Sequence, residues 1–495
     1  MDKSSWINHL SSWKQFLTER IASADDKGDK IKIERQLLTI ERTRCAAVLN
    51  PALLSEFINQ SSLSEKSATK GVNNYVLKLN DSQKAAVNEA LNSPNLCLIQ
   101  GPPGTGKTQV ITEICIQLFI RDPSIKILVC SETHIAVNNI LSRISEYNKD
   151  IRIVRLRDKE KDDQIDCFVP ETIIRDYLRW ASASFENKNA FQIISEEFVD
   201  TEDKSLEKAL ALSANIAGMT CNRAAAYDFK DTTEMFDVAI IDEVCKATLP
   251  EILSPLLVSR KAILIGDPKQ LPPVFCSEDQ DVIKSIDDCK LDKYMYIDHL
   301  FRESPNTIIL DTQYRMTDQI GNMISELFYD GILKNGRNDK TQHCLFWVNY
   351  TKTQDWPPKS ELHSDKPHIY NYDECKIISE LLSKLNNETP HAKIAVIAPY
   401  RAQAFELRKR CPKSTNVIID TVDGFQGKES DIVIFSITRT IGVQRFLADV
   451  RRLNVALSRA KNRIYIVGEL NYCNSNRIMK EIIKRSEIID TNFNV

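Results

Sequence analysis

The sequence predicts an α/β protein that contains two parallel sheets, one in each half of the chain. Short apolar runs of strand length recur through both halves, as expected for parallel strands that are buried on both faces. One such run, residues 96–100, leads into the glycine-rich segment GPPGTGKT at residues 101–108, and a helix-like run at 109–121 follows it. A strand, a glycine-rich turn and a helix in this order are typical of phosphate-binding α/β domains.

Composition and length limit the class of protein. The chain has 495 residues, of which 42% are hydrophobic and 27% charged, so we expect a soluble protein of several domains. No apolar run approaches 20 residues and the N-terminus lacks the apolar core of a signal peptide. We therefore expect an intracellular, cytoplasmic protein without a membrane span, and a nuclear location is left open.

Cysteine usage and charge exclude some kinds of site. None of the thirteen cysteines forms a C-x-x-C pair, which argues against a zinc finger or an iron–sulfur cluster and favours reduced thiols. The net charge is only −3, so a nucleic-acid site would have to be a local basic groove.

The first 75 residues are predicted to be helical. Trp13, Phe16 and Ile21 lie near helical spacing, and residues 29–49 mix charge with isoleucine and leucine in a similar way. This segment precedes the turn and helix start predicted at residues 79–83.

The first α/β domain is predicted over residues 76–298. Charged, helix-like residues 156–210 interrupt its rhythm and are interpreted as a helical insertion. The apolar runs interpreted as its buried parallel strands are residues 96–100, 125–130, 236–241 and 262–265.

The second α/β domain is predicted over residues 299–495. Lys-, Pro- and polar-rich residues 331–372 are interpreted as a loop or a small insertion. The runs assigned to its strands are residues 307–311, 394–397, 417–419, 432–437 and 464–467.

The glycine-rich segment predicts a triphosphate site. Glycines let the loop curl so that backbone N–H groups point at phosphate oxygens, and the next helix adds partial positive charge. We expect Lys107 to reach the β- and γ-phosphates of ATP, and the Thr108 hydroxyl to hold Mg²⁺. The residues expected to line the nucleotide are Gly101, Pro102, Pro103, Gly104, Thr105, Gly106, Lys107, Thr108 and Gln109.

Two carboxylates and an amide complete this half of the site. Asp242 and Glu243 follow the apolar run at 236–241. Asp242 would hold Mg²⁺, directly or through water, and Glu243 would polarise the attacking water. Gln270, in the segment GDPKQLPP at residues 266–273, is placed to bond both the γ-phosphate and that water.

Charge on a transferring phosphoryl group is usually met by an arginine, and the second half offers two candidates. Arg315 lies in QYRM at residues 313–316. Arg459 lies in the helix-like segment RRLNVALSRAK, where Arg452 is one heptad away and so expected on nearly the same helix face. Arginines on helices are more often solvated surface residues, but the other site residues favour catalytic roles.

The ordered motifs of the chain resemble those of superfamily 1 helicases. The branch that they resemble includes the nonsense-mediated-decay RNA helicase, and the match runs over roughly residues 79–469. The motifs are LNDSQ at 79–83, GPPGTGKT at 101–108, VCSETHIAVN at 129–138, AGMTC at 217–221, DEVCKAT at 242–248, GDPKQLPPV at 266–274, QYRM at 313–316, IAVIAPYRAQ at 394–403, TVDGFQGKE at 421–429 and RRLNVALSRAK at 451–461.

The resemblance implies two RecA-like domains with ATP between them, and movement from 5′ to 3′ on single-stranded DNA or RNA. It implies that Gln83 and Tyr314 contact adenine and that Glu429 contacts the ribose. It also implies phosphate roles for Lys107, Thr108, Asp242, Glu243, Gln270, Arg315 and Arg459. The nucleic-acid contacts that it implies are Thr133, Asn138, Thr220, Tyr400, Thr421 and Asp423, whose hydroxyl, amide and aromatic groups can bind a strand without reading its sequence.

The chain departs from the family pattern at two places. Val244 and Lys246 stand where the family usually has alanine and glutamine, so we expect hydrolysis to persist and coupling to strand movement to differ. The family often carries a β-barrel ahead of the first motif, for which 75 mostly helical residues leave little room. We therefore expect a minimal motor that a protein partner would target.

Two functional hypotheses stay open at this point. The first is an ATP-dependent helicase or translocase on single-stranded DNA or RNA. The second is an ATP-gated clamp or nucleoprotein remodeller without net unwinding, which Lys246 favours modestly. A P-loop enzyme acting on small molecules has no support from the motifs of the second half. The motifs do not distinguish DNA from RNA, because that choice depends on contacts with the 2′-hydroxyl.

Overall fold

A computed structural model of the chain describes most of its length. The described residues are 3–44, 50–58, 71–156, 167–170, 172–173, 176, 209–211, 213–226, 236–275, 277–287, 294–358 and 368–491. The insertion predicted at residues 156–210 lies outside them except for a few short stretches. Within the described ranges, no helix is long and apolar enough to cross a membrane.

The chain forms two compact units. Unit 1 comprises Met1–Gln100, Lys107–Pro268 and Pro272–Leu310, and unit 2 comprises Gly101–Gly106, Lys269–Leu271 and Asp311–Val495. Each unit holds one large parallel sheet with helices, so the predicted α/β class with two parallel sheets is confirmed. The domain limits near residues 76, 298 and 299 stay a prediction.

Unit 1 is built on a seven-stranded sheet in the order β3-β4-β2-β5-β6-β1-β7, and all of its strand pairs are parallel. Alternate residues of β1 enter different cores, because successive side chains of a strand point to opposite faces. The strands are β1 (Leu96–Gln100), β2 (Ile127–Ser131), β3 (Ile153–Arg155), β4 (Ile216–Thr220), β5 (Phe236–Asp242), β6 (Ser259–Gly266) and β7 (Ile308–Ile309).

The described helices of unit 1 flank this sheet, and the 3-10 turn Val244–Lys246 follows β5. The helices are Lys3–Ser23, Lys27–Arg44, Pro51–Ile58, Asp81–Asn92, Lys107–Arg121, His134–Tyr147, Cys221–Ala226, Leu249–Leu257, Ser277–Asp287 and Tyr296–Glu303.

The first helices of the chain pack into unit 1 rather than standing apart. Trp13 is 1% exposed and its ring meets that of Tyr294 edge-on, with centroids 4.9 Å apart. Phe16 lies beside the same tyrosine. The prediction of helices in this segment is confirmed for its described residues up to Ile58, whereas residues 71–75 are not helical.

Unit 2 is built on a six-stranded parallel sheet in the order β12-β11-β13-β14-β10-β15, next to a small parallel pair, β8-β9. The strands are β8 (Thr312–Gln313), β9 (Lys334–Asn335), β10 (Leu345–Tyr350), β11 (Ile394–Ala398), β12 (Val417–Thr421), β13 (Ser430–Ser436), β14 (Ala460–Val467) and β15 (Glu487–Thr491). The helices are Asp318–Phe328, Tyr372–Glu388, Arg401–Arg410, Arg445–Ala448, Val450–Leu457, Leu470–Cys473 and Arg477–Arg485, and a 3-10 turn spans Asp423–Phe425.

Two strand assignments made from the sequence are wrong. The run at 307–311 contributes β7, which pairs with β1 in the sheet of unit 1. The segment 331–372, predicted as a loop or a small insertion, contains the interior strand β10, which pairs with β14 on one side and β15 on the other. Polar and proline-rich flanks hide this strand in the sequence, although Trp347 within it is fully buried.

The motifs of the chain fall at the carboxyl ends of these strands. In unit 1, β2, β4, β5 and β6 end at Ser131, Thr220, Asp242 and Gly266. In unit 2, β11 is followed directly by Tyr400 and the helix Arg401–Arg410. Ligands of open α/β sheets bind outside this edge, so the fold places the motif residues where a site is expected.

Candidate functional site

The glycine-rich turn has the backbone shape that its glycines predict. Gly104 and Gly106 have φ of 74° and 80°, in the left-handed region that glycine tolerates. Thr105 is buried, and its hydroxyl donates to the carbonyl of Pro102 at 2.8 Å. The helix Lys107–Arg121 begins directly after the turn, so its free N–H groups and dipole favour an anion at this end.

Lys107 and the two carboxylates of β5 lie together in unit 1. The Lys107 Nζ is 3.9 Å from Glu243 Oε1. Asp242, the last residue of β5, accepts a hydrogen bond from the backbone N–H of Glu243 at 2.9 Å. The structure therefore joins the lysine of the turn to both acidic residues singled out in the sequence.

Asp242 lies in an environment that disfavours its charge. Burial, and then the neighbouring charge of Glu243, raise the pKa of Asp242 to about 7, although Lys107 opposes them. A divalent cation at this point would offset two adjacent carboxylates, and oxygen ligands are those that Mg²⁺ prefers. The donor set of Asp242 and the Thr108 hydroxyl fits the predicted metal, whose presence stays a prediction.

Glu243 is held in a left-handed backbone conformation, with φ of 55°. Such a conformation is uncommon for a residue with a side chain, and the surrounding packing must hold it. Val244 and Cys245 supply that packing, because a Cβ added to Gly266 would lie 2.9 and 2.8 Å from their side chains. Glu243 is therefore aimed by a tightly packed turn.

Arg459 and Gln270 meet within unit 2. The Arg459 guanidinium donates to Gln270 Oε1 at 3.0 Å and to the carbonyl of Val455 at 2.9 Å, and it is 3% exposed. The prediction that Arg459 shares a helix face with Arg452 is wrong, because the helix Val450–Leu457 ends before it. Arg459 lies instead in the short connection to β14, which begins at Ala460.

Arg315 is paired with Glu429. The Arg315 Nε lies 2.8 Å from Glu429 Oε2, and its guanidinium also donates to the carbonyl of Ser458 at 3.0 Å. Lys461 Nζ lies 2.6 Å from the other oxygen of Glu429. Burial alone would raise the pKa of Glu429, but Arg315 and Lys461 outweigh it and the pKa is lowered. Arg315 and its partner Glu429 thus contact the short segment, residues 458–461, that contains Arg459.

The two residues predicted to contact adenine have different surroundings. Tyr314 is 44% exposed, and a Cβ added to Gly336 would lie 2.4 Å from its ring. Gln83 is 2% exposed, and its side-chain oxygen accepts from the N–H of Asn80 in the capping box of the helix Asp81–Asn92. Their contact with adenine stays a prediction.

Three predicted nucleic-acid contacts lie at the carboxyl edge of the sheet of unit 1. Thr133 caps the helix His134–Tyr147 by accepting from the N–H of Ala136. Asn138 lies one turn into that helix, and its side-chain oxygen accepts from Arg155 at 2.8 Å. Thr220 ends β4. Their strand-binding role stays a prediction.

The other three lie at the corresponding edge in unit 2. The Tyr400 hydroxyl accepts from Arg439 Nε at 2.9 Å. Thr421 ends β12. Asp423 begins the 3-10 turn that follows, and its carboxylate lies 3.8 Å from the Arg452 guanidinium. Arginines therefore lie beside two of these residues, and Arg452 also pairs with Asp449. The strand-binding role of the three residues stays a prediction.

Three features of these sites carry no signal in the sequence. Arg155 is buried against His134 and Asn138. Arg337 donates to the carbonyl of Arg315, which fixes the backbone of a candidate catalytic residue. Glu251, in the first turn of the helix Leu249–Leu257, pairs with Lys32 of an N-terminal helix. Each depends on contacts between residues far apart in the chain, so local patterns do not reveal them.

The chain is similar to known protein families and to several helicases. Two family models match the chain, both described as an AAA domain, one over residues 78–179 and 181–278 and the other over residues 293–471. The DNA polymerase alpha-associated DNA helicase A of Saccharomyces cerevisiae is 31% identical over 79% of this chain and 65% of its own length.

Two further relatives give similar values. An uncharacterized ATP-dependent helicase of Methanocaldococcus jannaschii is 29% identical over 84% of this chain and 71% of its own. Regulator of nonsense transcripts 1 of Caenorhabditis elegans is 30% identical over 82% of this chain and 39% of its own. The chain thus spans about two thirds of the first two relatives and less than half of the third.

Proposed function

This chain belongs to the superfamily 1 helicases, in the branch that contains the nonsense-mediated-decay helicases, and from this premise we propose an ATP-dependent helicase or translocase that acts on single-stranded nucleic acid. The observation that carries the proposal is the grouping of Lys107, Asp242 and Glu243 at the ends of β1 and β5. These side chains match the phosphate, metal and water roles of a P-loop nucleoside triphosphatase.

ATP with Mg²⁺ is the proposed cofactor. Bound Mg²⁺ would supply charge to the β- and γ-phosphate oxygens, with Thr108 and Asp242 as its protein ligands. Lys107 binds the phosphates, and Glu243 takes the proton of the attacking water. Gln270 orients that water.

Arginines supply the remaining charge stabilisation in the proposed site. Arg315 and Arg459 donate to the oxygens of the transferring phosphoryl group, where negative charge is spread. In the structure these guanidinium groups contact Glu429 and Gln270. Glu429 would turn to the ribose hydroxyls, and Gln83 and Tyr314 to adenine, when ATP binds.

The strand is proposed to run over the carboxyl edges of the two sheets. Thr133, Asn138, Thr220, Tyr400, Thr421 and Asp423 are the proposed contacts, and movement from 5′ to 3′ follows from the family resemblance alone. Relatives are named both as a DNA helicase and as a regulator of nonsense transcripts, so DNA and RNA are both retained as substrates. A targeting protein partner is also proposed.

A second candidate function is an ATP-gated clamp or remodeller without net unwinding. The observation that favours it is Lys246, in the turn directly after Glu243. Its positive charge acts on Glu132, which follows β2: burial and then Glu251 raise the pKa of Glu132 to about 8 against the opposing charges of Lys32 and Lys246. The turn after β5 thus carries a positive charge, at Lys246, where the family usually has a neutral amide.

ATP hydrolysis and unwinding separate these functions. We expect single-stranded DNA or RNA of matched sequence to stimulate ATP hydrolysis at least tenfold, and a duplex with a 5′ single-stranded tail to be unwound. Stimulated ATP hydrolysis without unwinding of the tailed duplex, whether made of DNA or of RNA, would favour the clamp. ATP hydrolysis that neither nucleic acid alters would contradict both functions.

A further inference from the structure

Arg155, the last residue of β3, is 1% exposed although it carries a permanent charge. A guanidinium cannot lose its proton inside a protein, so its burial is tolerated only when hydrogen-bond acceptors surround it. Arg155 obtains these acceptors from one helix, from β4 and from the carbonyl of the neighbouring Leu156, and the helix and the strand hold proposed strand contacts.

Two of the acceptors are side chains at the start of the helix His134–Tyr147. The Arg155 Nε donates to Asn138 Oδ1 at 2.8 Å, and a terminal nitrogen lies 2.8 Å from His134 Nδ1. A guanidinium has only donors, so both Asn138 and His134 must accept. The direction of both hydrogen bonds is fixed.

This direction decides what the two side chains offer elsewhere. With Oδ1 of Asn138 engaged, the side-chain group that remains is the Nδ2 donor. With Nδ1 of His134 accepting, the ring proton lies on Nε2, which is again a donor. Both side chains are partly exposed. Arg155 thus turns two groups that could accept or donate into donors.

The remaining acceptors anchor Arg155 to the sheet. Its guanidinium donates to the carbonyl of Gly218 at 3.1 Å, in the middle of β4, two residues before Thr220. The helix lies so close to Gly218 that an added Cβ would be 2.6 Å from Leu141 and 2.9 Å from Val137. The arginine therefore fixes the helix against the strand whose end carries the third proposed contact.

We propose that Arg155 is a positioning residue for the nucleic-acid surface of unit 1, and that it orients Asn138 and His134 so that both donate to phosphate oxygens of the strand. His134 is thereby added to the contacts. The proposal rests on the proposed function, because it assumes that this edge binds a strand. Phosphate oxygens accept hydrogen bonds, so a pair of neutral donors suits them without reading sequence.

The test measures binding of labelled oligo(dT) and oligo(U) by fluorescence anisotropy over a series of salt concentrations. Arg155→Lys keeps the charge but loses the planar set of guanidinium donors that holds Asn138 and His134 together, so we expect the Kd for the oligonucleotides to rise about tenfold. The salt dependence is measured on Arg155→Gln, which removes the charge: its slope of log Kd against log salt should match that of the wild type, because Arg155 itself touches no phosphate. A direct arginine–phosphate contact would instead lower the slope by roughly 0.7 on single strands. The Kd for ATP should stay within twofold.

Arg152→Lys is the matched control. Arg152 lies near the same strand but is exposed, and it donates to the carbonyl of Ser213. We expect wild-type oligonucleotide binding from this variant. Wild-type binding by Arg155→Lys, or a reduced salt slope in Arg155→Gln, would overturn the positioning role. A wild-type protein that binds neither oligonucleotide would overturn the proposed function and the inference with it.

A double-mutant cycle separates positioning from a general loss of structure. In a protein that already carries Asn138→Ala and His134→Ala, Arg155→Lys should weaken oligonucleotide binding by less than twofold. A full tenfold loss in that background would contradict the proposal. If Arg155→Lys does not fold, the single variants Asn138→Ala and His134→Ala replace it, because both keep the arginine. Each should weaken oligonucleotide binding about threefold. Wild-type binding by both variants would overturn the positioning role.

Discussion

Lys32 Nζ lies 2.9 Å from Glu251 Oε1, so an N-terminal helix reaches the acid that caps the helix after Asp242 and Glu243. Glu251 is 2% exposed and also accepts from Thr248 and Gln36. Burial would raise the pKa of Glu251, but Lys32 and the hydrogen bonds from Thr248 together outweigh it and the pKa is lowered. The N-terminal helix Lys27–Arg44 therefore contacts the helix that follows the proposed ATP-site carboxylates.

Lys32→Met should destabilise unit 1. The change leaves a buried carboxylate with one partner fewer, which costs about 1–3 kcal/mol. The free energy of unfolding in urea measures this loss. Lys30→Met, at an exposed position of the same helix, is the control and should change it by less than about 0.5 kcal/mol. Equal stability of the two variants would contradict the role of the Lys32–Glu251 pair.

Lys107→Ala should abolish ATP hydrolysis. The side chain lies 3.9 Å from Glu243 and is the cation proposed to bind the phosphates, so we expect turnover to fall at least ~100-fold. A phosphate-release assay measures the rate. Lys149→Ala, at an exposed position of unit 1, should leave it unchanged. Retained turnover in Lys107→Ala would remove the lysine from the site.

Glu243→Gln should separate ATP binding from hydrolysis. Glutamine keeps the size of the side chain but cannot take a proton, so we expect turnover to fall about 10²–10⁴-fold. The Kd for ATP, measured by a fluorescent analogue, should stay within about threefold. A wild-type rate would show that another group activates the water.

Lys246→Gln should raise the amount of duplex unwound per ATP. The change restores the neutral amide usual in the family and removes a charge that acts on Glu132. Parallel measurements of strand separation and phosphate release give the ratio. An unchanged ratio, with normal ATP turnover, would show that the lysine does not affect coupling.

Glu374 predicts a pH dependence of stability in unit 2. Burial raises its pKa from 4.5 to about 7, although hydrogen bonds from Ser436, Thr438 and Tyr350 oppose the shift. The folded state therefore binds this proton more tightly than the unfolded state, so stability falls as pH rises from about 4.5 to 7 and stays lower above that. A shift of this size corresponds to about 3 kcal/mol.

Thermal unfolding of Glu374→Gln at several pH values tests this dependence. The variant lacks the titrating group, so its Tm should fall less than that of the wild type between pH 5 and pH 8. Glu380→Gln, at an exposed position of the same helix, should follow the wild type. Parallel Tm curves for Glu374→Gln and the wild type would contradict the assignment.

The sequence predicts the strands of this fold well where both faces of a strand are buried. Strands such as β5 and β11 are buried on both faces and appear as unbroken apolar runs. β10 alternates more and lies between polar segments, so the same pattern does not reveal it. Thr307–Asp311 looks like any other strand, and only pairing with β1 assigns β7 to the first sheet.

The site shows a similar division. Glycine, lysine and acidic residues of the ATP motifs have fixed spacings along the chain, so the sequence points to Lys107 and Glu243 directly. Arg155 has no such spacing, because its acceptors at His134 and Asn138 are set by the packing of a helix on β4. Residues that orient others are therefore harder to find in a sequence than the residues that they orient.

The place of β10 in its sheet has a consequence for synthesis of the protein. The strands of the first sheet are all complete by Ile309, so this sheet can assemble while the rest is still on the ribosome. β10 comes first in the second sheet, but its partners β14 and β15 begin only at Ala460 and Glu487. An apolar strand that waits for late partners offers open edges to other chains. Premature termination before Ala460 would therefore yield a product with an intact first sheet and an aggregation-prone remainder.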